Sequence, residues 1–238
     1  MSLLAKLVGE LRSKRTESQP GLREIFMRAH GIHKWRHYFE IYERFLERFR
    51  GQPVTMLEIG VGEGGSLAMW EEYLGPSAVI CGMDVNPDAA RLARGDRRIF
   101  IGDQADAGFL RRVRDELGAV DVVLDDGGHT MSQQVTTFEA LYPITRHLYV
   151  VEDTHTSYSP DFQDRPEGTF IEYAKDRIDA LYEWYRSPGG YRQYRVPQEA
   201  ARPVEVSEFC STTLGVHFYD SVVVFEKGAK SPPVSERR

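Results

Sequence analysis

One stretch constrains the chain more than any other: VTMLEIGVGEGGSL, Val54 to Leu67. It begins as a short apolar run of β-formers, breaks at Gly60, Gly62, Gly64 and Gly65, and resumes as SLAMWEEYL at helical spacing. That pattern is a buried strand, a tight turn and a helix N-terminus, the opening of a nucleotide-binding α/β unit. Glycines let a backbone turn sharply and come close to a ligand, because no Cβ stands in the way. Gly60, Gly62 and Gly65 formally satisfy G-x-G-x-x-G, so a dinucleotide such as NAD is one occupant. Glu58 argues against it. A carboxylate at the end of the first strand would face a pyrophosphate across a narrow gap, and like charges there cost free energy. The site suits a ligand whose nearest group is cationic, and S-adenosylmethionine (SAM), with an ammonium and a sulfonium and no phosphate, meets that condition.

Downstream, strands and helices alternate. AVICGMDVNP is a second strand ending in Asp84, placed to accept hydrogen bonds from ribose hydroxyls. SAM and NAD share that ribose, so Asp84 identifies a nucleoside only. RRIFIGDQAD is a third strand and a polar turn, in which Asp103 and Gln104 are placed to pair with an adenine amino group. DAGFLRRVRDELG is a helix ending at Gly118, and AVDVVLDDGGHT a fourth strand closing on Asp125, Asp126, Gly127, Gly128 and His129. The helix QQVTTFEALYP leads to a fifth strand, HLYVVEDTHTSY, with Glu152 and Asp153 at its end. SYSPDFQDRPEG separates that strand from the helix FIEYAKDRIDALYEWY, and VEVSEF and VHFYDSVVVFEK read as two closing strands. The sum is an α/β, Rossmann-like fold: a seven-stranded, mostly parallel sheet with helices on both faces.

Ahead of the glycine turn, MSLLAKLVGELRSKR spaces its apolar residues as a helix, and TESQPG is a linker by composition. In GIHKWRHYFEIYERFLERF, Tyr38, Ile41, Tyr42, Phe45 and Phe49 form a core-facing stripe. His30, His33, Trp35 and His37 crowd its start, either as helix-start packing or as a wall of the ligand site. The expected organisation is an arm and linker over residues 1–30, one domain over 31–230 and a flexible tail over 231–238.

With 238 residues and 41% of them apolar, the chain can bury one sizeable core. A net charge of −6 supplies no basic field for nucleic acid. Two cysteines, Cys81 and Cys210, fit a reduced cytoplasmic protein, and no apolar run reaches the roughly 20 residues of a membrane span. The amphipathic arm and the aromatic-rich first helix point to a homo-oligomer.

In open α/β sheets ligands bind outside the carboxyl ends of the strands. Here four strands end in acids: Glu58, Asp84, Asp125–Asp126 and Glu152–Asp153. Strands four and five should be neighbours, so their carboxylates would repel unless a cation sits between them. Hard oxygen ligands suit Mg²⁺, or Ca²⁺ or Mn²⁺, and Asp126, Glu152 and Asp153 are assigned as the ligands. Asp125 then faces the cofactor side, since adjacent residues of an extended chain point to opposite sides. His129, in a loop beside that site, is the general-base candidate. His155 and Tyr158 are candidates for substrate contact.

Taken together, LEIGVGEGGSL, GDQAD, LDDGGH, VVEDTHTSY and HFYDSVVVFEK resemble the metal-dependent sugar O-methyltransferases of the macrolide-tailoring (macrocin and mycinamicin) and rhamnosyl types. The cephalosporin-hydroxylase-like proteins carry a similar set. The resemblance runs from about Gly31 to Lys227, and the D-G-G-H plus E-D pairing is its most specific part. It implies a class I methyltransferase fold, SAM, Mg²⁺ and a sugar hydroxyl acceptor. The family's metal-ligand positions fall on Asp126, Glu152 and Asp153 and its base on His129. Mycinamicin-type enzymes carry an extra N-terminal domain, which turns the expected acceptor toward a mannoside or rhamnoside, with the 3-O position a candidate and the metal chelating vicinal hydroxyls. Two alternatives stand beside this reading: a catechol-type or other small-molecule O-methyltransferase, and a non-catalytic SAM- or metal-binding protein like the hydroxylase relatives.

Overall fold

A computed structural model describes residues 19–186 and 204–233. The expected arm over residues 1–15 and most of the expected tail lie outside the described residues. Helix α1 (Leu22–Arg28) buries Leu22 and Ile25 in the core, so packing begins ahead of the boundary expected at residue 31. Helix α2 (Tyr38–Leu46) carries the expected stripe, with Tyr38, Ile41, Tyr42 and Phe45 buried.

Strand β1 (Thr55–Ile59) leads through the glycine turn into α3 (Gly65–Leu74), followed by β2 (Val79–Asp84) and β3 (Ile99–Ile101). Helix α4 (Ala107–Leu117) stops at Gly118 and precedes β4 (Val120–Asp125). Helix α5 (Met131–Leu141) precedes β5 (Thr145–Val151), and α6 (Phe170–Ala180) follows it. The chain closes with α7 (Glu208–Thr212), β6 (Thr213–Tyr219) and β7 (Val222–Lys227).

The seven strands lie in the order β3-β2-β1-β4-β5-β7-β6, and β7 runs opposite to the other six, pairing antiparallel with both β5 and β6. Side chains alternate between two cores, as a strand's two-residue period requires. Met56, Val122 and Leu124 face α1–α3, whereas Leu57, Val123 and Tyr149 face α4–α6. Trp70 and Tyr42 fill the first core and Phe138, Phe170 and Phe225 the second, so the sheet is covered on both faces.

One expected strand is corrected. VEVSEF is not a strand. Ser207 Oγ accepts from Cys210 N at 3.1 Å and caps the short helix α7, while VHFYDSVVVFEK supplies both closing strands, turning at Asp220–Ser221. Among the described residues no helix is long and apolar enough to cross a membrane.

Candidate active site

Register places the acids. Parallel pairing sets Ile59 beside Asp125 and Asp125 beside Val151, so the segments leaving β1, β4 and β5 emerge together at one edge. Two clefts open there. One, of about 480 Å³, is walled by Lys34, Trp35, Tyr38, Asp126, His129 and Asp153 among others. The second, of about 340 Å³, is walled by Met83, Asp84, Asp103, Gln104 and Gly128 among others. Gly60 and Gly62 line both. Gly60 has φ +82°, and a Cβ there would run into the Asp126 carbonyl, so the junction of the clefts requires glycine.

In the second cleft, Asp84 Oδ2 accepts from Gly62 N at 2.9 Å and Oδ1 from Asn86 N at 2.8 Å, which fixes the glycine turn from the β2 end. Asp103 Oδ1 accepts from Ala105 N at 2.8 Å. Gln104 is buried and its amide is committed internally: Nε2 donates to Asp125 Oδ1 at 3.0 Å, and Oε1 accepts from Gly128 N at 2.8 Å. Gly64 lies at the N-cap of α3 with φ +86°. Glu58 and Asp125 line neither cleft. Both sit one layer behind, fully buried, with Ser66 Oγ donating to Glu58 Oε2 at 2.7 Å. Burial pushes the Asp125 carboxyl up to about 7, against the opposing bonds from Gln104 and Gly127.

The first cleft holds the chemistry. His129 Nε2 lies 3.6 Å from Asp153 Oδ2 and 3.9 Å from Asp126 Oδ1. One ligand atom from each of Asp126, His129 and Asp153 falls within 4.8 Å of the others, a donor set that fits a hard dication. The backbone is specialised to achieve this. His129 and Asp153 have φ of 60° and 51°, left-handed conformations unusual for side-chain-bearing residues and found at functional sites. Thr156 Oγ1 lies 2.9 Å from the carbonyl oxygens of both and shares its proton between them. Tyr38 OH, from α2, donates to Asp153 Oδ1 at 2.6 Å.

Glu152 stands apart from that trio: it is buried, and both its oxygens face Lys34 Nζ, at 3.0 and 3.1 Å. The positive charge among these acids therefore includes a lysine that sequence reasoning passed over. Burial pulls the Lys34 ammonium down, yet Glu152, Asp126 and Glu58 outweigh it and hold the pKa above the usual lysine range. His155 Nδ1 lies 3.9 Å from Asp153 Oδ1, with its ring 6.1 Å from Trp35, at the cleft mouth. Tyr158 is exposed and does not line the cleft. Of the histidine-rich segment, His33 and Trp35 wall the cleft, while His37 Nε2 is 3.1 Å from Asp220 O.

No family model matches the chain. It is 37% identical over 232 residues to 8-demethyl-8-(2-methoxy-alpha-L-rhamnosyl)-tetracenomycin-C 3'-O-methyltransferase of Streptomyces olivaceus, covering 90% of this chain and 56% of that protein. The chain is a relative of the sugar O-methyltransferases. To a second sugar O-methyltransferase, mycinamicin VI 2''-O-methyltransferase of Micromonospora griseorubida, it is 36% identical over 202 residues, 79% of this chain and 47% of that one. The chain thus spans about half the length of the curated relatives it matches. Among solved structures, the MycE methyltransferase from the mycinamycin biosynthetic pathway, in complex with Mg, SAH and mycinamycin VI, matches with a TM-score of 0.72 at 32% identity, over 89% of this chain and 54% of that one. The shared architecture is the Rossmann-like class I methyltransferase fold.

Proposed function

We propose that the chain transfers a methyl group from SAM to one hydroxyl of a sugar on a small-molecule glycoside, a mannoside or rhamnoside, with Mg²⁺ as the divalent ion. The observation that carries this reading is the placement of Asp126, His129 and Asp153 at the wall of a cleft that meets a nucleoside-sized cleft across Gly60 and Gly62. The relatives named above are O-methyltransferases, and the MycE structure holds Mg and SAH, which supports this reading.

The nucleoside end of SAM belongs beside Asp84 and Asp103, and its methionine end runs along Gly60 and Gly62 toward the first cleft. Asp126 and Asp153, with Glu152 beside Asp126, would hold the dication. When bound, that ion lowers the pKa of a nearby hydroxyl, which is otherwise a weak nucleophile at neutral pH. His129 Nε2 takes the hydroxyl proton, the oxygen forms its bond to the methyl carbon, and the carbon–sulfur bond breaks toward sulfur, leaving S-adenosylhomocysteine. Fixing the acceptor oxygen in line with that bond supplies much of the acceleration. Trp35, half exposed, and His155 form an aromatic rim suited to the face of a sugar ring, and Tyr158 stands beyond it. The buried free thiols Cys81 and Cys210 fit a reducing cytoplasm.

Incubation with SAM, Mg²⁺ and a panel of mannosides, rhamnosides and catechols, read by mass, tests the proposal. A gain of one methyl on a sugar supports it, and methylation of catechols alone rejects it. A second reading, in which His129 is a ligand and not a base, draws on the nearness of its Nε2 to both carboxylates. Mn²⁺ affinity separates the two: His129→Ala leaves it unchanged if the residue is a base and abolishes it if the residue is a ligand.

A further inference from the structure

Lys34 precedes α2 in the HKWRHY segment, where a lysine would ordinarily extend into solvent. Instead its side chain is 2% exposed, with Nζ 2.5 Å from Asp126 Oδ2, 3.0 Å from Glu152 Oε1 and 3.7 Å from Glu58 Oε1. An ammonium is buried at large desolvation cost, offset only by well-placed partners. Among the described residues no other lysine or arginine pairs with these three acids.

The geometry divides the Asp126 carboxylate. Oδ2 accepts from Lys34, and Oδ1 is the oxygen turned toward His129 Nε2, 3.9 Å away, in the cluster shared with Asp153. We propose that Lys34 is a positioning residue: it holds Asp126 Oδ2 and both Glu152 oxygens, so that Asp126 presents Oδ1 to the dication. This rests on the reading of Asp126, Glu152 and Asp153 as the metal-holding acids. Residues that orient metal ligands from behind typically contribute 10–100-fold in metal affinity.

The proposal has an unusual sign. By charge alone, removing a cation a few ångströms from a dication site should tighten metal binding. If Lys34 acts by positioning, its removal should loosen it. Mn²⁺ is therefore titrated into the protein, with the free ion read by electron paramagnetic resonance, for the native chain, Lys34→Met, Lys34→Arg, Asp126→Asn and the Lys34→Met/Asp126→Asn double variant. The native chain should bind, and Lys34→Met should bind 10–100-fold more weakly while keeping its far-ultraviolet circular dichroism. Adding Lys34→Met to Asp126→Asn should cost less affinity than Lys34→Met costs the native chain, because much of the Lys34 effect runs through the Asp126 carboxylate; an equal cost overturns the proposal. Lys34→Met binding as tightly as native, or more tightly, overturns the proposal.

Lys34→Arg keeps the charge and alters the geometry, so it too should weaken binding if Lys34→Met fails to fold; native-like affinity in the arginine variant overturns the proposal. If neither variant folds, Lys34 is a structural cation alone and the proposal is likewise overturned. A native chain that binds no Mn²⁺ would reject the underlying site, a result distinct from a site that forms and ignores Lys34.

Discussion

His129 and Asp153 are held in left-handed backbone conformations, and the one hydroxyl that reaches both carbonyls belongs to Thr156, itself buried. Thr156→Val should take the hydroxyl donor from the His129 carbonyl, leave the Asp153 carbonyl with the Thr156 backbone N–H alone, and cost about 1–3 kcal/mol in urea unfolding, with activity lost in parallel; Thr156→Ser should recover most of both. His129→Ala should lower kcat by about 10²–10⁴-fold, the range of a general base, and leave S-adenosylhomocysteine affinity by calorimetry unchanged. An equal loss of cofactor binding would make His129 structural. A strand's terminus fixes where its next side chain emerges, so the sequence expectation is Asp126, Glu152 and Asp153 around a cation with His129 beside them; the structure groups Asp126, His129 and Asp153 and turns both Glu152 oxygens to Lys34. Lys34 was not legible. Nothing local distinguishes a buried lysine from a solvated one, and its burial depends on acids 92 and 118 residues away.

At the scale of elements, the loop from β4 to α5 carries the site, and its far end is pinned by a capping box. Thr130 caps Gln133 N while Gln133 Oε1 accepts from Thr130 N at 3.2 Å. Gln133 also lines the second cleft, so the cap borders the nucleoside site. Thr130→Ala should cost about 1 kcal/mol in thermal or chemical unfolding and weaken cofactor binding; unchanged stability would show that packing alone holds the loop. Strand and helix order was readable because apolar runs and glycine stops alternate along the chain. VEVSEF misled because its alternating pattern imitates a strand, while Ser207 supplies an N-cap that only the structure reveals. Gln104 stands at a strand end, where the sequence points to an adenine partner; it lines the second cleft, with its amide tied to Asp125 and Gly128. Sequence places a side chain at an edge without showing which neighbours reach it first.

Across the whole molecule, the carboxyl edge of the sheet gathers Glu58, Asp126 and Glu152 around Lys34, with Asp153 beside His129; among the described residues no other lysine or arginine pairs with these acids, leaving a local excess of negative charge that a dication would offset. EDTA should therefore abolish methyl transfer and Mg²⁺ restore it. Mg²⁺ at about 100 times its Kd should stabilise the fold by about 2.7 kcal/mol, provided the unfolded chain does not bind it; no stabilisation at saturating Mg²⁺ would place the ion outside the folded site. The segments leaving β4 and β5 would together hold that ion at the cofactor's edge. The most direct measurement is a crystal grown with Mn²⁺ and S-adenosylhomocysteine, with anomalous data collected at the manganese edge. One strong peak is expected, bounded by Asp126 and Asp153 and beside His129; a bound cofactor with no peak there would mean that these acids hold no metal.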